Sequence, residues 1–238
     1  MKLLLTSSGL RNESLREALR SLLDKPVGEC KCVYIPTSCH AARGDMSWLM
    51  EEMTSFYALG WKEFVVLDIA VKSEWDKSLW WPKIEQADVI VMGGGNAPYL
   101  SYWLQRSGLF EALPEFLKTK VYVGVSAGSM MLTAGIVSSV IGQTDNPEDW
   151  GGLGGRRPST YPAEQQSDKT LDLVDFLFRP HWHKPDPKYE NLTEEAVRRA
   201  YRYFQKPIYL VDDQTAIKVV DSKAEVVSEG EWVLIDHD

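Results

Sequence analysis

The residues best suited to chemistry in this sequence form a Gly-Val-Ser-Ala-Gly segment, Gly124 to Gly128. An apolar stretch, Val121 to Val125, precedes Ser126, and a helix-like apolar segment follows it. Small residues at both ends of this pattern allow a turn sharp enough to present the serine hydroxyl at the carboxyl end of a strand, where the next helix directs its first amides. The segment predicts a nucleophile elbow with Ser126 as the nucleophile. A glycine-rich turn with an incidental serine is the alternative.

A second glycine-rich segment, Gly93-Gly94-Gly95-Asn96, follows another apolar stretch, Val89 to Met92. Glycines leave backbone amides unobstructed, as an oxyanion hole requires. The segment therefore predicts a loop that supplies backbone amides to an oxyanion hole. A phosphate-binding loop is the rival interpretation, but the segment lacks the Gly-Lys-Ser/Thr of a P-loop and the spacing of a dinucleotide fingerprint.

A serine nucleophile needs a base within hydrogen-bonding reach, and the chain has four histidines. His181 and His183 follow the apolar stretch that ends at Phe178, in the order Phe-Arg-Pro-His-Trp-His. Both are candidate bases. Alternation places both rings on one side of an extended backbone, so spacing alone does not choose between them.

The elements that must position these residues alternate in type along the first half of the chain. Short apolar stretches rich in β-branched residues alternate with segments whose apolar positions lie three and four residues apart. The predicted strands are 3–5, 33–35, 64–67, 89–92 and 121–125, and the predicted helices are 13–23, 48–58 and 109–117. This order predicts an α/β fold, a mostly parallel sheet with helices on both faces.

The second half of the chain does not continue this alternation of strands and helices. Residues 142–166 are rich in glycine and poor in apolar residues, which predicts a long loop or an irregular excursion. A helix is predicted at 194–204 with Thr193 as its N-cap. Short apolar stretches at 208–211, 216–220, 225–227 and 232–235 predict a small antiparallel meander at the end of the chain. We expect one domain, residues 1–238.

Composition excludes several classes of protein. The 238 residues carry 26 Lys and Arg against 34 Asp and Glu, a net charge of −8, which disfavours sequence-independent nucleic-acid binding. No stretch approaches the roughly 20 apolar residues that span a bilayer. We expect a cytoplasmic protein without nucleic-acid or membrane partners. The three cysteines, Cys30, Cys32 and Cys39, are expected to be reduced thiols rather than metal ligands.

The Gly-Val-Ser-Ala-Gly, Gly-Gly-Gly-Asn and Pro-His-Trp motifs together resemble the serine peptidases of family S51, the dipeptidase E type, which also includes cyanophycinases. The resemblance extends from the first strand to the Asp-Asp-Gln-Thr-Ala near residue 213. It implies a scaffold similar to class I glutamine amidotransferases, of flavodoxin-like type, with serine where those enzymes use cysteine. It also implies hydrolysis of short peptides with an N-terminal aspartate, without a metal or organic cofactor.

By motif match, the resemblance assigns the nucleophile to Ser126 and the base to His181. It also places Gly94, Gly95, Asn96 and the amide of Ala127 in the oxyanion and substrate-binding site. For the triad acid it points to a segment after the nucleophile helix, where Asp145 is the candidate and Asp149 and Glu164 are alternatives. His183 and Arg179 are candidates for attracting an anionic substrate. The small peptide substrate is the expected partner, and a homodimer is left open.

Two other functions use the same residues differently. An esterase or cyanophycinase-like hydrolase would act on another acyl group. A non-catalytic, amidotransferase-like binding or regulatory module would keep the scaffold without turnover.

Overall fold

The strands of the first half form one parallel sheet. The computed structural model describes residues 1–42, 44–137 and 163–236. In it, β1 (Lys2–Thr6), β2 (Lys31–Ile35), β3 (Glu63–Val66), β4 (Val89–Met92) and β5 (Val121–Val125) lie in the order β3-β2-β4-β5-β1, and every neighbouring pair is parallel. The predicted α/β fold is confirmed.

Helices cover both faces of this sheet because successive strand residues point to opposite sides. In β1, Leu3 and Leu5 pack into one apolar cluster and Leu4 into the other. The Leu4 face is covered by α1 (Glu13–Leu22) and α2 (Ser47–Tyr57). The opposite face is covered by five helices, α3 (Ile69–Lys72), α4 (Trp81–Glu85), α5 (Ala97–Ser107), α6 (Leu109–Phe116) and α7 (Ala127–Met130).

The terminal strands do not form the single meander that their spacing suggests. Two of them, β8 (Thr215–Val220) and β9 (Lys223–Ser228), extend the main sheet antiparallel beside β1. This pairing satisfies the backbone groups of β1, which would otherwise be an exposed edge. The other strands form a second sheet in the order β10-β7-β6, from β6 (Leu177–Arg179), β7 (Ile208–Val211) and β10 (Trp232–Ile235). In it, β7 is antiparallel to β10 and parallel to β6. The predicted C-terminal antiparallel strands are confirmed, but they are divided between two sheets and do not form one meander.

The second sheet is supported by α8 (Glu194–Phe204), whose N-cap is Thr193 as predicted. The Thr193 hydroxyl accepts a hydrogen bond from the Ala196 amide at 3.2 Å. Val197 of α8 packs in a separate apolar cluster with Ile208 and Leu210 of β7. Among the described residues, no helix is long and apolar enough to cross a lipid bilayer.

Candidate active site

Ser126 lies in a strained turn between β5 and α7. Its backbone has φ 48° and ψ −103°, which side-chain-bearing residues rarely adopt. The Ser126 amide donates to the carbonyl of Thr6, at the end of β1, at 2.9 Å. The strand, turn and helix therefore form the nucleophile-elbow geometry that the sequence pattern predicts.

The two glycines of the pattern are required by close approach. A Cβ at Gly124 would lie 2.6 Å from the backbone of Ser129, and one at Gly128 would lie 2.0 Å from the carbonyl oxygen of Met92. Neither distance is compatible with a side chain. The turn can therefore be this tight only because both positions lack one.

His181 contacts the serine. It follows β6 by two residues, and its Nε2 lies 2.9 Å from the Oγ of Ser126. Both residues are 8% exposed. His181 has φ 69°, so the chain is not extended where it leaves β6.

Asp213, which follows β7, holds the other ring nitrogen. Its Oδ1 lies 2.7 Å from His181 Nδ1 and accepts a hydrogen bond from the hydroxyl of Ser7 at 2.8 Å. The same hydroxyl accepts from the backbone amide of His181 at 3.0 Å. The ammonium of Lys184 lies 3.4 Å from Oδ2. Ser7, at the end of β1, thus fixes both the backbone of the base and the carboxylate that faces it.

The electrostatics assign the protons. Burial would raise the pKa of Asp213, but the hydrogen bond and charge of His181, the charge of Lys184 and the Ser7 hydroxyl outweigh it and hold that pKa well below its ordinary value. Because an ionised carboxylate only accepts, Nδ1 of His181 carries the proton and Nε2 presents a lone pair to Ser126. Burial lowers the pKa of His181 to about 4, against the opposing effect of Asp213. The imidazole is therefore neutral at pH 7, as a general base must be.

Sequence reasoning missed Asp213. Asp145 and the alternative Asp149 lie outside the described residues, and the other alternative, Glu164, is exposed in a short 3-10 helix. The available signal was the Asp212-Asp213 pair directly after the apolar strand β7. It is the same arrangement, polar residues at the carboxyl end of a strand, that drew attention to His181.

In the glycine loop predicted to bind the oxyanion, the Gly94 amide and the Asn96 side chain already have hydrogen-bond partners. The Gly94 amide donates to Oε1 of Glu52 at 3.1 Å. The side chain of Asn96 accepts from the Tyr99 amide at 2.8 Å and is the N-cap of α5. Among the described residues, the amides of Gly95 and Ala127 have no hydrogen-bond acceptor. These two donors therefore remain available for an oxyanion.

His183 and Arg179, the two residues predicted to attract an anionic substrate, differ in burial. His183 is more than half exposed, and its Nδ1 pairs with Glu231 at 2.8 Å, so it does not contact the triad. Arg179 is 2% exposed, and its guanidinium lies 5.6 Å from the ring centroid of Tyr189, a ring that also packs against His181. Its Nε and Nη2 have no hydrogen-bond partner among the described residues. Burial lowers the pKa of Arg179 to about 10, which leaves it charged at pH 7.

A cavity of about 650 Å³ adjoins the triad on the side of Asp213. Its lining includes Arg11, Lys184 and Gln214, whereas Ser126 is not part of the lining. The wall also carries two carboxylates, Asp186 and Asp213, and Lys184 lies 3.4 Å from Asp213, so the charges of the cavity are mixed.

Comparisons with known proteins agree on one family. The model of peptidase family S51 matches residues 3–227. Peptidase E of Streptomyces coelicolor (strain ATCC BAA-471 / A3(2) / M145) is 29% identical over 125 residues, which are 52% of this chain and 44% of that protein. The chain thus matches less than half the length of this relative.

Two crystal structures share the fold. A candidate peptidase E protein from Listeria monocytogenes EGD-e superposes with a TM-score of 0.69 at 19% identity, over 96% of this chain and 98% of that one. A peptidase from an acI-B1 Actinobacterium gives a TM-score of 0.65 at 17% identity, over 99% and 90%.

Ser126, His181 and Asp213 form a chain of contacts with the geometry of a Ser-His-acid triad, on a parallel α/β sheet. By the family match over nearly its whole length, the chain belongs to peptidase family S51.

Exchanging the carboxylate that faces His181 tests the geometry. Asp213→Asn removes the charge that fixes the Nδ1-protonated imidazole, and we expect kcat to fall by about 10⁴-fold. Steady-state kinetics should be compared with those of Asp145→Asn, which alters the carboxylate predicted from the sequence. A large loss in Asp145→Asn alone would contradict the assignment of Asp213.

The pH dependence of kcat tests the buried imidazole. Activity needs neutral His181 and falls as the pH drops through its pKa in the enzyme–substrate complex. Because burial lowers that pKa, the acid limb of kcat should lie below 6.5, the ordinary histidine value. Saturating kinetics from about pH 4 to pH 8, with circular dichroism to confirm folding, would measure it. A limb at or above the ordinary value would be inconsistent with a desolvated base.

Proposed function

We propose that this protein is a serine peptidase that hydrolyses short peptides, with dipeptides bearing an N-terminal aspartate as the preferred class. The observation that carries the proposal is the chain of contacts from Ser126 Oγ through His181 to Asp213. Membership of a peptidase family supports the reaction class.

The contacts support a mechanism of acyl transfer to water. His181 Nε2 takes the proton of Ser126 as the hydroxyl oxygen attacks the scissile carbonyl. The amides of Gly95 and Ala127 donate to the oxyanion of the tetrahedral intermediate. His181 then protonates the leaving amine, and water, activated by the same imidazole, hydrolyses the acyl-enzyme to regenerate Ser126.

Charge supports the preference for an acidic substrate. The buried guanidinium of Arg179 has two nitrogens, Nε and Nη2, without a hydrogen-bond partner in the part of the chain that the structure describes, and Arg179 lies two residues before His181. Since an unpaired buried charge is costly, a ligand carboxylate would stabilise this region.

The nucleophile is tested by Ser126→Ala with a panel of aspartyl dipeptides, other dipeptides and simple esters. We expect the wild type to hydrolyse aspartyl dipeptides fastest and the variant to lose several orders of magnitude in kcat. The variant should keep the thermal unfolding profile of the wild type. Unchanged turnover in Ser126→Ala would eliminate the mechanism. Binding without turnover in both proteins would favour a regulatory module, and a preference for esters would favour an esterase.

The acidic preference is tested by Arg179→Gln. Loss of hydrogen bonds from a charged donor should lower kcat/KM for aspartyl-leucine by about 10- to 100-fold, with a smaller effect on asparaginyl-leucine. Arg106→Gln, on the exposed end of α5, is the matched control and should leave both values unchanged. An equal loss for the two peptides would assign Arg179 a structural role instead.

A further inference from the structure

Glu52 is a buried carboxyl group that the triad mechanism does not use. It lies on α2 and is 4% exposed. The hydroxyl of Tyr34 donates to its Oε1 at 2.6 Å, and the Gly94 amide donates to the same oxygen at 3.1 Å. Among the described residues, no hydrogen bond reaches Oε2. One oxygen of the carboxyl group thus holds the glycine loop while the other is uncommitted.

The uncommitted oxygen lies beside the nucleophile. A methyl group built on Gly94 would lie 2.9 Å from Glu52 Oε2 and 3.7 Å from the Cβ of Ser126. The ring of the half-buried Trp48 would lie 3.7 Å from the same point. Glu52, Ser126 and Trp48 therefore surround one side of Gly94. Because both distances are measured from the same point, Glu52 Oε2 lies near the Cβ of Ser126.

This position suits the amino terminus of a substrate. In an acyl-enzyme, the α-nitrogen of the acyl residue is four covalent bonds from the Cβ of Ser126, a reach of roughly 5 Å. An ammonium group at that reach can approach Oε2 from the Ser126 side. One atom of the Trp48 ring lies 3.7 Å from a Cβ built on Gly94, and aromatic rings attract cations.

The electrostatics of Glu52 favour a cationic ligand. Burial raises the pKa of Glu52 to about 7, although hydrogen bonds from Tyr34 and Gly94 and the charges of Arg11 and Lys184 act in the opposite direction. Among the described residues, no cationic side chain pairs directly with Glu52. A buried carboxylate without such a partner is costly, and an ammonium group against Oε2 would remove much of that cost.

We propose that Oε2 of Glu52 binds the α-ammonium group of the substrate's N-terminal residue and so restricts cleavage to the bond after that residue. This rests on the proposed peptidase function. If an internal bond of a longer peptide lay at Ser126, a neutral peptide amide would face the Glu52 carboxylate, and the ion pair would be lost. Glu52 is then a substrate-binding residue that defines the amino-terminal end of the site.

A purely structural role for Glu52 makes a different prediction. If the carboxyl group only anchors the glycine loop through Oε1, glutamine, whose amide oxygen accepts the same two hydrogen bonds, should replace it with the same effect on every substrate. Glu52→Gln removes the charge and keeps these acceptors. Tyr34→Phe is the matched control, because it removes one hydrogen bond to Oε1 and leaves the carboxyl group in place, where a bound ammonium group would hold it ionised.

The experiment compares aspartyl-p-nitroanilide with succinyl-p-nitroanilide, which has the same acyl length and carboxylate but no α-amine. We expect the wild type to prefer the aspartyl compound by about 10- to 100-fold in kcat/KM. Glu52→Gln should lose most of this preference by slowing the aspartyl substrate alone. Tyr34→Phe should change both substrates by the same factor.

Equal rates of the wild type on the two compounds would overturn the proposal without any variant, so poor folding of Glu52→Gln does not remove the test. An equal loss for both substrates in folded Glu52→Gln would likewise overturn it and leave a positioning role. Either result leaves the proposed function standing if aspartyl substrates are hydrolysed in a Ser126-dependent manner. If the wild type hydrolyses neither these compounds nor peptides, the proposed function fails and this inference fails with it.

Discussion

The close packing of two glycines around Ser126 is the constraint on which the site depends. Gly124 lies against the backbone of Ser129, and Gly128 lies against the end of β4. This packing keeps Ser126 at a positive φ that the residue would not otherwise adopt. The parallel sheet and the helices on its two faces hold β4, β5 and β1 in the register that makes the turn rigid. The same packing fixes the first backbone amide of α7, and a donor held in place before reaction is what electrostatic preorganisation requires.

The second sheet brings the other two members of the triad to the serine. Because β6 and β7 are parallel and paired, the segments that leave their carboxyl ends emerge side by side. His181 follows one strand and Asp213 follows the other. Ser7, at the carboxyl end of β1, bonds to both and so joins the small sheet to the main one. The site is therefore built where strand ends of two sheets meet.

Local spacing was sufficient to predict the α/β fold and the turn at Ser126, since each depends on residues close in the chain. The acid was not predictable in this way. Asp213 faces His181 only because β6 pairs with β7, and that pairing is not encoded in either segment alone. Likewise, the Gly94 amide is not available to an oxyanion because it donates to Glu52, a residue on α2 that is distant in the chain. Spacing alone did not choose between His181 and His183, because an extended backbone would place both rings on one side, and the family motif selected His181. In the structure the chain turns through positive φ at both residues.

The central claim is that the Ser126 hydroxyl is activated by the imidazole of His181. Labelling with a fluorophosphonate, followed by peptide mass spectrometry, measures this directly. The account predicts one adduct on the peptide that contains Ser126, formed rapidly by the wild type and lost in folded His181→Ala. Absence of an adduct, an adduct on another serine, or labelling at the same rate in His181→Ala would contradict it.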